Sequence, residues 1–175
     1  MALTVGKVIQ DYKLELIAGS EGTNREVTKP QVSRPGIELA GLFDFYEHDR
    51  IQVLGSKEIA FFGWLNHQDQ EIRVDMLFKE QPPMFVFSKN AEVPEVFIRK
   101  GNDYNIPIAK STKKTNALLS SLYQYLSAKL ATRESLHGTL LDISGVGVLI
   151  RGKSGLGKSE VALELVRRGH QLVAD

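Results

Sequence analysis

The sequence predicts an α/β protein in two parts. A small α/β domain occupies residues 1–130 and ends in a linker helix, and residues 131–175 form the beginning of a second α/β domain. Three observations predict this. Over the first hundred or so residues, short apolar β-type runs alternate with longer helix-compatible segments, as strands and helices do when they take turns along a chain. After Ser111 the pattern changes: Leu118, Leu119, Leu122, Tyr123, Leu126 and Leu130 recur at spacings of three and four, a helical stripe. Finally, Gly152-Lys153-Ser154-Gly155-Leu156-Gly157-Lys158-Ser159 fits G-x-x-x-x-G-K-[ST]. It sits between the apolar run Val146-Gly147-Val148-Leu149-Ile150 and a helix-type run over residues 160–168, the strand–turn–helix context that such a loop needs.

Taken in order, residues 2–20 contain the alternation Leu14-Glu15-Leu16-Ile17-Ala18, with a short helix around Gly6 to Tyr12 as another reading of the start. Gly19-Ser20-Glu21-Gly22 reads as a turn. Residues 23–36, polar and carrying Pro30 and Pro35-Gly36, read as a loop. Residues 51–54 form a strand. A helix follows from Ser56 towards Leu65, with Ser56 as its cap, and Phe61, Phe62 and Trp64 are assigned to a core rather than to base stacking. Ile72, Met76, Leu77 and Phe78 suit a helix over residues 71–80, ended by Pro82-Pro83. Met84-Phe85-Val86-Phe87 reads as a buried strand, Val96-Phe97-Ile98 as another, and residues 104–108, with Pro107, as a strand end.

Ser111 or Thr112 then caps the long helix, which runs to about Leu130. Lys113-Lys114 in its first turn opposes the helix dipole, which favours an exposed end, with phosphate binding as the alternative. The leucine stripe is read as core or subunit contact. Residues 137–143 and Val146–Ile150 make a hairpin around Ser144-Gly145 that feeds the Gly-rich loop. The helix after the loop closes with Arg167-Arg168 and a left-handed cap at Gly169. Leu172-Val173-Ala174 is the next strand, with Asp175 at its carboxyl end, the end that faces the ligand crevice in open α/β sheets. A sheet of this kind needs further strands and helices to cover it, so the second domain is expected to be incomplete in these 175 residues.

The loop's chemistry follows from its backbone. Gly152, Gly155 and Gly157 can adopt positive φ and carry no side chain to obstruct a phosphate. Successive amides can then point inward, with the positive end of the following helix behind them. Lys158 is placed to reach the β- and γ-phosphates, and the Ser159 hydroxyl to ligate Mg²⁺. Bulk properties narrow the field. A net charge of +1 gives no electrostatic case for nucleic acid, and the absence of Cys removes disulfides and Cys-based zinc sites. The sequence has no apolar run long enough to span a bilayer, and its start lacks the basic and apolar segments of a signal peptide, so the cytoplasm is the default.

Beyond the loop, a longer set of runs resembles bacterial HPr kinase/phosphorylase. It comprises His137-Gly138, Leu141-Asp142-Ile143, residues 145–150, Gly152 to Glu160, Ala162-Leu163-Glu164-Leu165 and Arg168-Gly169-His170. Upstream, Ser33-Arg34-Pro35-Gly36-Ile37-Glu38-Leu39-Ala40-Gly41, residues 50–55 and Ile106-Pro107-Ile108 with Ser111 resemble that family's N-terminal domain. The resemblance implies a P-loop kinase domain related to phosphoenolpyruvate carboxykinase. It implies phosphorylation of a serine of the phosphocarrier HPr with ATP or pyrophosphate and Mg²⁺, removal of that phosphate by phosphorolysis, control of carbon catabolite repression, and a hexamer. It also implies an active-site role for His137, which the residues alone would leave at the surface. Asp175 matches the first of two family aspartates, and the second, the usual base, would be the next residue. Lys153 stands where the family often has Asp. Asp142, His48, His67 and His170 are read as surface or capping residues. Two other readings stand beside this one: an unrelated P-loop kinase or NTPase, and a non-catalytic regulatory or oligomerisation fragment.

Overall fold

The computed structural model describes residues 2–132 and 136–174, so the Asp175 expectation lies outside the described residues. The chain divides into two compact units, Met1–Ala131 and Thr132–Asp175.

The first unit is built on a five-stranded sheet in the order β1-β5-β4-β3-β2. Its strands are β1 (Glu15–Ala18), β2 (Val32–Ser33), β3 (Ile51–Leu54), β4 (Phe85–Phe87) and β5 (Ile108–Lys110). Strands β2 to β5 run parallel, and β1 is an antiparallel edge beside β5. Parallel strands need crossovers, and these are helical: α2 (Gly36–Leu39) before β3, α3 (Ser56–Trp64) and α4 (His67–Lys79) before β4, and α5 (Glu95–Asp103) before β5. Crossover helices and the two flanking helices, α1 (Val5–Tyr12) and α6 (Thr115–Leu130), cover opposite faces. Leu39, Phe62, Val74, Leu77, Phe78 and Phe97 fill one core with Leu54, Phe85 and Phe87. Val5, Val8, Leu118, Leu122 and Leu126 fill the other with Ile51, Val53 and Val86. Burial on both faces explains why β3 and β4 are buried at every position and read as unbroken runs rather than alternations.

Several expectations need correction. Val96-Phe97-Ile98 lies in helix α5, not in a strand. A three-residue apolar run cannot distinguish the two by periodicity, and the deciding signals are Pro94 at the cap and Glu95 in the first turn. Phe97 then stands edge-on to Phe62, Phe78, Phe85 and Phe87, at 5.2–5.9 Å between centroids. The predicted loop over residues 23–36 contains the two-residue strand β2. Gly55, not Ser56, caps α3, with its amide held by the Glu58 carboxylate at 2.8 Å. Of the three aromatics assigned to the core, only Phe62 is buried, and Trp64 is 90% exposed. Of residues 104–108 only Ile108 is in a strand, as the first residue of β5, and Tyr104 caps α5. Helix α6 begins at Thr115, so Lys113 and Lys114 precede it, and its stripe splits into core (Leu118, Leu122, Leu126) and an exposed Tyr123.

The second unit is a three-stranded antiparallel sheet, β7-β6-β8, with β6 (Thr139–Ile143) between β7 (Val146–Ile150) and β8 (Gln171–Ala174). Helix α7 (Lys158–Arg167) packs on β6 and β8. The hairpin turn is the expected one: Ser144 and Gly145 both have positive φ (55° and 85°), and Asp142 accepts from the Gly145 amide at 2.7 Å. Gly169, at φ 96°, follows the end of α7. No described helix is long and apolar enough to cross a membrane.

Candidate phosphate-binding site

The site begins where β7 ends. Residues 151–157 leave the sheet without regular structure and enter α7 at Lys158. Gly155 and Gly157 have φ of 85° and 76°, the left-handed region that favours glycine, and Gly157 is the N-cap. Gly152 is not in that region, so of the three expected loop glycines two use it. With no side chain at its cap, α7 leaves its first turn open. Among the described residues, the amides of Ser154, Gly155, Leu156, Gly157, Lys158 and Ser159 make no well-formed hydrogen bond to a backbone or side-chain acceptor. Six donors without acceptors at a helix N-terminus are what an anion would satisfy.

The side chains frame this opening. Lys158 is half-buried, and its ammonium donates to the Lys153 carbonyl at 2.8 Å, curling over the loop that it would serve. Swinging it onto a phosphate costs one exposed hydrogen bond. Lys153, Ser154 and Leu156 are exposed on the loop, and the Leu156 side chain faces solvent at 68%. Ser159 occupies the second position of α7 and lines a cavity of about 240 Å³ with Thr139, Ala162 and Leu172. Glu160, in the first turn of α7, complements the helix dipole.

His137 is exposed and precedes β6. Thr139 pairs with Ile150, the last pair of the antiparallel ladder, so His137 enters β6 at the same end of the ladder from which β7 runs into the loop. The neighbouring glycine explains how the chain gets there. A Cβ on Gly138 would stand 2.7 Å from the Ile150 carbonyl oxygen, so only glycine lets this segment pass the end of β7. Sequence reasoning from residue types could not place His137. The His-Gly pair followed by a strand that returns to the loop was the available signal.

The residues present fit a nucleotide's phosphates: free amides, one ammonium and one hydroxyl at a helix N-terminus. Mg²⁺ is commonly held by few protein ligands together with phosphate oxygens and water, so the Ser159 hydroxyl fits the share expected of this loop. Among the described residues, no group of three His, Cys, Asp or Glu side chains forms a metal cluster.

Comparison with known proteins bears on the whole chain. Residues 3–126 match the family model described as HPr Serine kinase N terminus, and residues 128–175 match the one described as HPr Serine kinase C-terminal domain. An HPr kinase/phosphorylase of a Geobacillus species is 46% identical over 168 residues, which is 96% of this chain and 54% of the relative. Those of Bacillus subtilis and Bacillus pumilus are 46% and 45% identical over the same spans. The chain therefore spans about half the length of the curated relatives it matches. A match across both units sets aside the reading of an unrelated P-loop NTPase.

Proposed function

The chain belongs to the HPr serine kinase family, and on that premise we propose that it is the nucleotide-loop-bearing part of a kinase/phosphorylase acting on a serine of HPr in the cytoplasm. One observation carries the reading beyond the family: the unbonded amides from Ser154 to Ser159, gathered at the start of α7 beside Lys158.

In the forward direction these amides and the Lys158 ammonium hold the β- and γ-phosphates of ATP, or a pyrophosphate, and offset the charge that spreads over the oxygens during transfer. The serine oxygen forms its bond to the terminal phosphorus, the bond to the leaving phosphate breaks, and the serine proton passes to a base. In reverse, inorganic phosphate attacks phosphoserine and pyrophosphate leaves, with the proton returned to the serine oxygen. The Ser159 hydroxyl would hold Mg²⁺, which would supply positive charge to offset that of the phosphates. His137 is assigned to the same site, a reading supported by its position just before β6, at the end of the ladder where β7 leads into the loop. Gly152, Lys153 and Leu156 complete the loop. Hexamer formation and control of catabolite repression are part of the same proposal.

The test uses the full-length protein with HPr, labelled ATP and Mg²⁺. Label should appear on an HPr serine, and phospho-HPr with inorganic phosphate should yield pyrophosphate. Lys158→Ala should abolish both reactions without unfolding the protein. Normal transfer by that variant would remove the role given to the lysine.

A further inference from the structure

The carboxyl ends of β2, β3, β4 and β5 lie along one edge of the first sheet, and each strand is followed there by a basic residue: Arg34 after β2, Lys57 after β3, Lys89 after β4 and Lys114 after β5. These four side chains line a single cavity of about 630 Å³. We propose that this cavity, lined by residues of the first unit, binds the phosphate group of a small hydrophilic molecule.

Charge is the first argument. Arg34 is already compensated, since its guanidinium lies 2.6 Å from the Glu58 carboxylate, whose other oxygen accepts from the Gly55 amide. Lys57, Lys89 and Lys114 have no carboxylate partner among the described residues. The three lysines are exposed around one opening, where a bound anion would gain from all three charges at once.

Lys114 sharpens the point. It is the N-cap of α6, and a cation at the positive end of a 16-residue helix runs against the dipole rule. Lys57 adds a cation in the first turn of α3, where Glu58 is the acidic residue and its carboxylate is engaged by the Gly55 amide and by Arg34. Neither helix receives a cap from the side chain of its N-cap residue, and the amides of Ser56, Lys57, Thr115, Asn116 and Ala117 have no acceptor among the described residues. An anion in the cavity resolves both anomalies together, because it accepts from the amides and neutralises the lysines.

Lys89 is held by a constrained turn. It and Asn90 are consecutive non-glycine residues at φ 57° and 52°, pinned by bonds from their amides to the Lys113 and Ser111 carbonyls at 2.9 and 2.7 Å. The turn fixes the end of β4 to the segment that leads into α6, so the lysines from β4 and β5 arrive together. The cavity is of the size that holds small ligands. It has no aromatic lining residue, which gives a nucleobase nothing to stack on and favours a hydrophilic carrier.

Amide–nitrogen correlation spectra of the 175-residue chain test this directly. Titration with inorganic phosphate, and separately with glycerol 3-phosphate, should shift the amides of Ser56, Lys57, Thr115, Asn116 and Ala117 saturably. Tighter binding of glycerol 3-phosphate identifies an organic phosphate as the ligand, and equal binding identifies free phosphate. The Lys89→Gln/Lys114→Gln double variant, and separately Lys57→Gln, should weaken the response at these amides about tenfold, as loss of charge-assisted hydrogen bonds does. The amides from Ser154 to Ser159 should respond as in the unaltered chain, an internal reference that separates this site from the loop. Amides near the cavity that stay still, that move equally with sodium chloride at matched ionic strength, or that ignore the lysine substitutions would overturn the proposal.

Discussion

Two short apolar segments, Phe85-Val86-Phe87 and Leu172-Val173-Ala174, look alike in sequence and behave in opposite ways. The first is buried at every position, and the second, as part of β8, is exposed at every position. The difference is cover. Strand β4 lies inside its sheet with helices on both faces, whereas β8 is an edge strand of the three-stranded sheet beside α7. The first unit is thus organised by side-chain packing. The second is held by the ladders on both sides of β6 and by α7 packed on β6 and β8, with left-handed turns at Ser144-Gly145, Gly155, Gly157 and Gly169. A hydrophobic strand pattern therefore predicts a strand, and its burial depends on the elements that cover it, here in a chain that spans about half the length of its relatives.

Substitutions can break or sharpen that contrast. The largest effect is expected from Phe97→Ala, which removes the ring shared by four other phenylalanines and should destabilise the first unit by about 4 kcal/mol in denaturant unfolding. Leu172→Ala, at a half-exposed position, should cost roughly 1 kcal/mol or less in the second unit. Equal losses would erase the distinction. Glycines come next. A Cβ on Gly19 would stand 2.1 Å from the Ile106 carbonyl oxygen, at φ +69°, so Gly19→Ala should cost about 3 kcal/mol. Gly145 has positive φ but open space around it, so Gly145→Ala should cost only about 1 kcal/mol, the price of the left-handed backbone alone.

The smallest effect concerns a surface network. Asp75 receives hydrogen bonds from Lys100, Lys79 and Tyr104, which hold its carboxyl well below the usual carboxylate range. Because its folded-state value is depressed, its contribution is present above the unfolded value of about 4 and is lost as pH falls through the lower folded value. Asp75→Asn should therefore cost about 1 kcal/mol or less at neutral pH and flatten the acid limb of the stability curve. An unchanged acid limb in the variant would count against this network.

Much of this was legible in the sequence. The loop's backbone was readable because its residue types answer to local geometry rather than to distant contacts: Gly155 and Gly157 take left-handed values, and a strand and a helix flank them where expected. The hairpin was readable for the same local reason. What failed depended on tertiary cover. Val96-Phe97-Ile98 carries the same apolar signal in a helix as in a strand, and Trp64 looks like core until its neighbours are known. The basic cavity was invisible because Arg34, Lys57, Lys89 and Lys114 are far apart in the chain and converge only through parallel strand order. Lys114 alone raised a flag, as a cation on the wrong side of a helix start.

The central claim is that the amides at the start of α7 are free to hold phosphate. Its most direct test is to add pyrophosphate with Mg²⁺ to this chain and follow those amides, from Ser154 to Ser159, by nuclear magnetic resonance. The account predicts large saturable shifts at these positions that weaken sharply in Lys158→Ala. Amides that keep their resonances at saturating pyrophosphate would contradict it.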